Sequence, residues 1–284
     1  MNDSKPTPAA DSTREAAAKA FSLLDLTSLT DQESADDIAA LVNNASWRSA
    51  NGERIHVAAL CIFPRFLPLA RKLLDEQDLY SVRLATVTNF PHGNDDIDIA
   101  VKETRAAIAY GADEVDVVLP YRALIAGDSK TPLLLVQACK AECGHHAQLK
   151  VIIETGELKT PELIQQASEI AIAGGADFIK TSTGKVAENA TPAAAEIMIS
   201  VIQAHIEQQR ANKSAAHATH AIGFKPAGGI RNLDDALVYM HAAENVLGKA
   251  SIQPSRFRLG ASSVRANLVA TLEGGQEHTA SGGY

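Results

Sequence analysis

The feature that most constrains this chain is an alternation along its length. Short apolar runs, many of them β-branched, recur at LLDL (23–26), VAALCI (57–62), RLATVT (83–88), EVDVVL (114–119), KVIIET (150–155), DFIKTS (177–182), AIGFK (221–225) and FRLGA (257–261). Helix-like segments separate most of them, at 36–44, 66–76, 96–110, 132–142, 161–173, 192–209 and 233–247. Three of these open on a Thr-Pro pair, Thr131-Pro132, Thr160-Pro161 and Thr191-Pro192, each an N-cap followed by proline at the first helical position. Strands that alternate with helices need a parallel sheet, because parallel neighbours are joined by crossovers. Eight of them predict a closed (β/α)8 TIM barrel in a single domain. An open doubly wound sheet is the alternative. It usually carries a glycine-rich loop after its first strand, whereas LLDL runs into TSLTDQES.

Length and composition agree. Barrels often use ~250 residues in one domain, and the chain has 284. It is 46% hydrophobic but only 5% aromatic, a mix that suits aliphatic strands and Ala-rich helices. Residues 1–14 are expected to form a mobile tail, 15–273 the barrel domain, and 274–284 (GGQEHTASGGY) a flexible tail. The formal net charge of −8 argues against nucleic-acid binding, so local groups must hold any anionic substrate. The first 20 residues lack an apolar signal core, and no apolar run reaches the length of a membrane span. With three cysteines in no framework spacing, these signals predict a cytoplasmic protein.

In a barrel, side chains alternate between bore and helical layer, and chemistry gathers at the C-terminal strand ends. Lys180 in DFIKTS and Lys225 in GFKPAGG both follow apolar residues near such an end. Alone, either could be a strand-end lysine reaching out to water. Pointing inward from adjacent strands ~4.8 Å apart, they would be close neighbours, each disfavouring the other's charge. A desolvated amine beside a cation is the pattern of a lysine that attacks carbonyls. Asp116, flanked by valines in EVDVV, is either a strand-end carboxylate or a buried partner of a lysine. Asp25 and Lys150 can join it in a compensated polar network. Glu154 shares the face of Lys150 if that strand continues to Thr155. Gly228 and Gly229 after the seventh strand, Ser262 and Ser263 after the eighth, and Lys185 after the sixth form a candidate phosphate site.

Other signals are discounted. Thr183-Gly184-Lys185 lacks the glycine and hydroxyl that a phosphate-binding P-loop needs. Cys139 and Cys143 share a helix face without a second ligand pair, so no metal is expected. His217 and His220 read as solvated loop residues, and Cys61 as a small buried hydrophobe.

The stretches TVTNFPHGNDD (86–96), GADEVDVVLPYRALIAGD (111–128), LKVIIETGEL (149–158), GADFIKTSTGK (175–185), GFKPAGGIR (223–231) and RLGASS (258–263) resemble the deoxyribose-phosphate aldolases. The resemblance runs from about residue 23 to the C-terminus. It leaves out the N-terminal tail, and the stretch around 208–219 is longer than the family's usual pattern. It implies a cofactor-free, metal-free class I aldolase that reversibly cleaves 2-deoxy-D-ribose 5-phosphate to acetaldehyde and D-glyceraldehyde 3-phosphate. On the matching motifs it implies Lys180 as the Schiff-base lysine. Lys225 would lower its pKa and assist proton transfer, and Asp116 would relay protons with Lys225 and a water. Lys185, Gly228, Gly229, Ser262 and Ser263 would grip phosphate, and Tyr284 would be a proton shuttle from the tail. Partners are then small sugar phosphates and aldehydes, with a homodimer possible. Three rival readings stay open on the residues: an aldolase or transaldolase with another donor, a pyridoxal-phosphate enzyme anchored at Lys180, and a non-catalytic sugar-phosphate binder.

Overall fold

A computed structural model describes residues 8–211 and 221–275. Eight parallel strands form one sheet: β1 (Leu24–Ser28), β4 (Ala59–Ile62), β5 (Arg83–Thr88), β6 (Glu114–Val118), β7 (Gln148–Ile152), β8 (Phe178–Lys180), β9 (Gly223–Lys225) and β10 (Leu259–Ala261). The two remaining strands, β2 (Ser46–Arg48) and β3 (Arg54–His56), pair antiparallel as a hairpin outside it. The sheet runs in the order β10-β1-β4-β5-β6-β7-β8-β9. Parallel bridges Phe224–Phe257 and Ala227–Gly260 join its two ends, so the sheet closes. The predicted (β/α)8 barrel is the fold.

Helices clothe the outside because strand residues alternate. Val115, Val117, Leu149, Val151, Ile179 and Phe224 face the helices and belong to one large buried cluster. The bore is divided. On the side of β4 and β5 it is lined by a small apolar cluster of Ala59, Cys61, Ala85 and Val87. Across from it, β1, β6, β7, β8, β9 and the approach to β10 carry charged side chains that are almost wholly buried.

The local signals mostly act as expected. Thr160 accepts from the Leu163 amide at 3.3 Å, Thr191 from the Ala194 amide at 3.2 Å, and helices start at Pro161 and Pro192. Thr131 does not cap its helix. That helix begins earlier, at Lys130, because Asp128 accepts from the Lys130 and Thr131 amides at 2.9 and 3.1 Å. The first helix, Pro8–Ser22, extends into the stretch assigned to the N-terminal tail. Its Ala-rich sequence favours helix, and Ala17, Ala20 and Phe21 bury one face against the barrel. β7 stops at Ile152, short of the predicted Thr155, because Glu154 turns into the left-handed region at φ 59°.

Candidate active site

Strand register places the two lysines side by side. Lys180 pairs with Lys225 across β8 and β9, and one layer lower Asp116 pairs with Lys150 across β6 and β7. All four side chains point into the bore. Lys150 and Lys225 are among the largest side chains with no exposure at all.

The lysines do not meet as bare cations. Asp116 stands between them. Its Oδ2 accepts from Lys180 Nζ at 2.8 Å and from Lys225 Nζ at 2.7 Å, and its Oδ1 accepts from Lys150 Nζ at 2.9 Å. Lys225 also donates to Asp25, and Lys150 lies 3.4 Å from the same carboxylate. The structure therefore brings Asp25, Asp116, Lys150, Lys180 and Lys225 into one continuous network.

Two further members had not been singled out. Glu114, two residues before Asp116 on the same face, pairs with Lys150. Arg258, two before Gly260, forks onto Glu114 at 2.6 and 3.0 Å and reaches Asp25 at 2.6 Å. Each lies at the parity that points inward, a signal already in the strands. With them, three carboxylates face four basic side chains, Lys150, Lys180, Lys225 and Arg258.

Burial by itself would raise the pKa values of Asp25 and Asp116. The surrounding cations outweigh it and hold both below the usual carboxylate range. Burial would likewise lower Lys150 and Lys225, but Asp116 heads the carboxylates that hold both above the ordinary lysine value. Lys225 is thus kept as an ammonium. The sign of the pH dependence follows. What the depressed acids contribute to stability is complete above about pH 4 and is lost as the pH falls through their lowered values. What the raised lysines contribute is complete below 10.5 and is lost on rising through their higher values. In denaturant unfolding, the stability gap between wild type and Asp116→Asn is expected to stay flat from about pH 5 to about pH 9 and to narrow only below about pH 4. A gap already closed at pH 6 would contradict an ionised Asp116.

A glycine makes room for Lys225. A Cβ at Gly260 would lie 2.8 Å from Ala227 Cβ and 3.1 Å from Lys225 Cε. The loops beyond the strands meet above the lysines. Gly228 donates to the Gly260 carbonyl at 3.2 Å, and Ser263 Oγ donates to the Ile230 carbonyl at 3.4 Å. Gly228 and Gly229 both have φ 81°, and the space above Gly229 is open. Ser262, Ser263 and Lys185 are exposed, with Ser263 at the start of the helix Val264–Leu272. The Ala190 amide bonds to the Ala227 carbonyl at 3.3 Å, so the loop carrying Lys185 borders the same glycines. Tyr284 lies outside the described residues.

These features occupy the C-terminal end of the barrel. A cavity of about 980 Å³ opens at the other end, lined by Arg54, Arg83, Lys140 and Asp177. Neither Lys180 nor Lys225 lines it, so it is not where the paired amines could act. Cys61 is buried beside the network, and burial pushes its thiol up. Burial also pushes Cys139 up to about 11 and Cys143 to about 12. No group of three His, Cys, Asp or Glu side chains placed to hold a metal ion occurs among the described residues. None of their helices is long and apolar enough to cross a membrane.

The sequence profile described as DeoC/LacD family aldolase matches residues 19–269. The chain belongs to the DeoC/LacD family of aldolases. The match spans every strand of the barrel and every member of the buried network. Solved structures share the fold of this family member. A provisionally assigned deoxyribose-phosphate aldolase from Toxoplasma gondii ME49 aligns with a TM-score of 0.83 at 23% identity, covering 94% of this chain and 98% of that one. A second provisional assignment of that activity, from Coccidioides immitis, aligns with a TM-score of 0.72 at 24% identity over 90% and 86% of the two chains. The tetrameric deoxyribose phosphate aldolase of Aeropyrum pernix gives 0.66 at 20% identity over 93% and 98%.

Proposed function

We propose that this aldolase is a class I enzyme that cleaves 2-deoxy-D-ribose 5-phosphate reversibly to acetaldehyde and D-glyceraldehyde 3-phosphate through an imine on Lys180. The observation that carries the reading is the pair of amines in adjacent register, bridged by one buried carboxylate. Lys180 is the member at the open end, with slight exposure, whereas Lys225 is fully enclosed and held charged. With Lys180 as a neutral amine, three cations face three carboxylates, so the buried charge balances in the form that can attack a carbonyl.

Lys180 Nζ adds to the aldehyde carbon of the open-chain sugar, and loss of water leaves an iminium. A base takes the proton of the hydroxyl on the third carbon, and the bond between the second and third carbons breaks. Its electron pair moves to the iminium nitrogen as D-glyceraldehyde 3-phosphate departs. The enamine left behind is protonated at carbon, and water hydrolyses the new iminium to acetaldehyde. Lys225, an ammonium 2.7 Å from Asp116, is placed to supply and recover these protons. Three lysines keep Asp116 ionised, so a proton passing through it with a water does not rest on the carboxylate. Its larger part is to fix both amines. Asp25 and Lys150 support it from below.

Gly228, Gly229, Ser262, Ser263 and Lys185 are assigned to the phosphate. Adjoining loops and a helix start offer backbone N–H groups to an anion, and Lys185 adds the charge that the acidic chain as a whole does not provide. Ser263→Asp is expected to raise KM for the phosphorylated sugar about tenfold or more by like-charge repulsion, with kcat little changed. Steady-state cleavage assays check it, and an unchanged KM would remove Ser263 from the phosphate site. The reading also places the protein in the cytoplasm with no cofactor or metal.

The experiment that tests the reading is incubation with acetaldehyde and borohydride, intact-mass analysis and peptide mapping. One ethyl group on Lys180 is the expected product. No adduct on folded protein would discard the acetaldehyde imine.

A further inference from the structure

One buried acid at the C-terminal end of the barrel has no part in the mechanism above. Glu154 follows β7 and has no exposed surface. Its Oε1 accepts from the Thr183 amide at 3.1 Å, while its buried Oε2 has no hydrogen-bond partner. Its backbone is left-handed, at φ 59° and ψ 64°, a conformation that disfavours side chains other than Asn, Asp or Gly. Burial pushes its carboxyl up, while Thr183 and the nearby Lys180 pull it down. A bare buried oxygen and a strained backbone at one residue both cost stability, and such costs persist where a site needs them.

The contacts show what Glu154 holds. Thr183, bonded to Glu154 through its amide, accepts from the Lys185 amide at 3.0 Å through Oγ1. The neighbouring Thr155 amide bonds to the Thr181 carbonyl at 2.9 Å. A chain of hydrogen bonds therefore runs from Glu154 through Thr183 to Lys185, in the turn that follows the Schiff-base strand. The turn has Gly184 at φ 82°, where an added Cβ would meet nothing within 4 Å.

We propose that Glu154 is a positioning residue that sets the Thr183–Lys185 turn and thereby the preference for phosphorylated over unphosphorylated sugar. The proposal rests on the phosphate reading of Lys185 given above. Two substitutions separate reach from charge. Glu154→Asp keeps the charge and tolerates the left-handed backbone, but its side chain is one carbon too short for the Thr183 amide. Glu154→Gln keeps a carbonyl at the right distance and drops the charge.

Steady-state kinetics of the full chain on 2-deoxyribose 5-phosphate and on unphosphorylated 2-deoxyribose tests it. Glu154→Asp is expected to raise KM for the phosphorylated sugar about tenfold, the worth of one hydrogen bond to a charged group, with kcat and the unphosphorylated reaction changed by less than about threefold. Glu154→Gln is expected to restore that KM to within about threefold of wild type. An unchanged KM in Glu154→Asp overturns the proposal, as does an equal fall in kcat/KM for both sugars, which is the signature of a disturbed barrel. A wild type that forms the Lys180 adduct but does not prefer the phosphorylated sugar overturns the phosphate reading and this inference with it. A wild type that forms no adduct overturns the imine reading instead.

Discussion

Lys180→Leu is expected to lower turnover by a factor on the order of 10⁴ to 10⁶ while the barrel stays as stable as wild type. On the proposed mechanism the loss follows from removing the amine that forms the imine. That stability persists follows from the buried charges. Lys180 is one of four basic side chains facing three carboxylates, and without it Lys150, Lys225 and Arg258 balance Asp25, Glu114 and Asp116. Asp116 keeps two of its three lysines, so neither carboxylate oxygen is stranded. The checks are cleavage rate, borohydride trapping and the denaturant midpoint on one preparation. Residual activity near wild type would exclude Lys180 as the nucleophile, and a collapse in stability would undo the charge argument.

Asp116→Asn is expected to lose stability, which Lys180→Leu keeps. Near-isosteric, it removes the one carboxylate shared by three lysines and leaves four basic side chains facing two acids. Breaking one partner out of a buried ion network costs about 3–5 kcal/mol. For a domain of this size that lowers Tm by roughly 10 °C. Activity should fall as well, because the carboxylate that fixes Lys180 against Lys225 is gone. Calorimetry of the two variants side by side is decisive. If Asp116→Asn melts with wild type, the network is not holding the bore together.

Most of this was legible in the sequence, and what was not has physical causes. The barrel follows from eight apolar runs with helices between them, and the inward lysines from a period of two. Asp25, Asp116 and Lys150 follow from the same parity. Glu114 and Arg258 share it, but their meaning depends on register and on contacts across the bore. Arg258 and Glu114 are 144 positions apart, and no local pattern links them. Glu154 was hidden by a turn that lacks the usual signal: its left-handed residue is neither glycine nor asparagine, so the strand read as continuing. The hairpin of β2 and β3 is too short to stand out beside the longer apolar runs. Thr131 looked like a cap because Pro132 follows it, yet Asp128 lies close enough to take both free amides first.

Gly260 carries a consequence beyond space for one side chain. It sits on the seam where the last strand meets β9, opposite Ala227, and within 3.1 Å of where its missing Cβ would lie is the Lys225 Cε. Shutting the cylinder and aiming the ammonium are therefore a single steric event. Positions 225, 227 and 260 can drift through evolution or be redesigned only as a trio. A methyl group added at the seam would force the amine aside or pry the cylinder open.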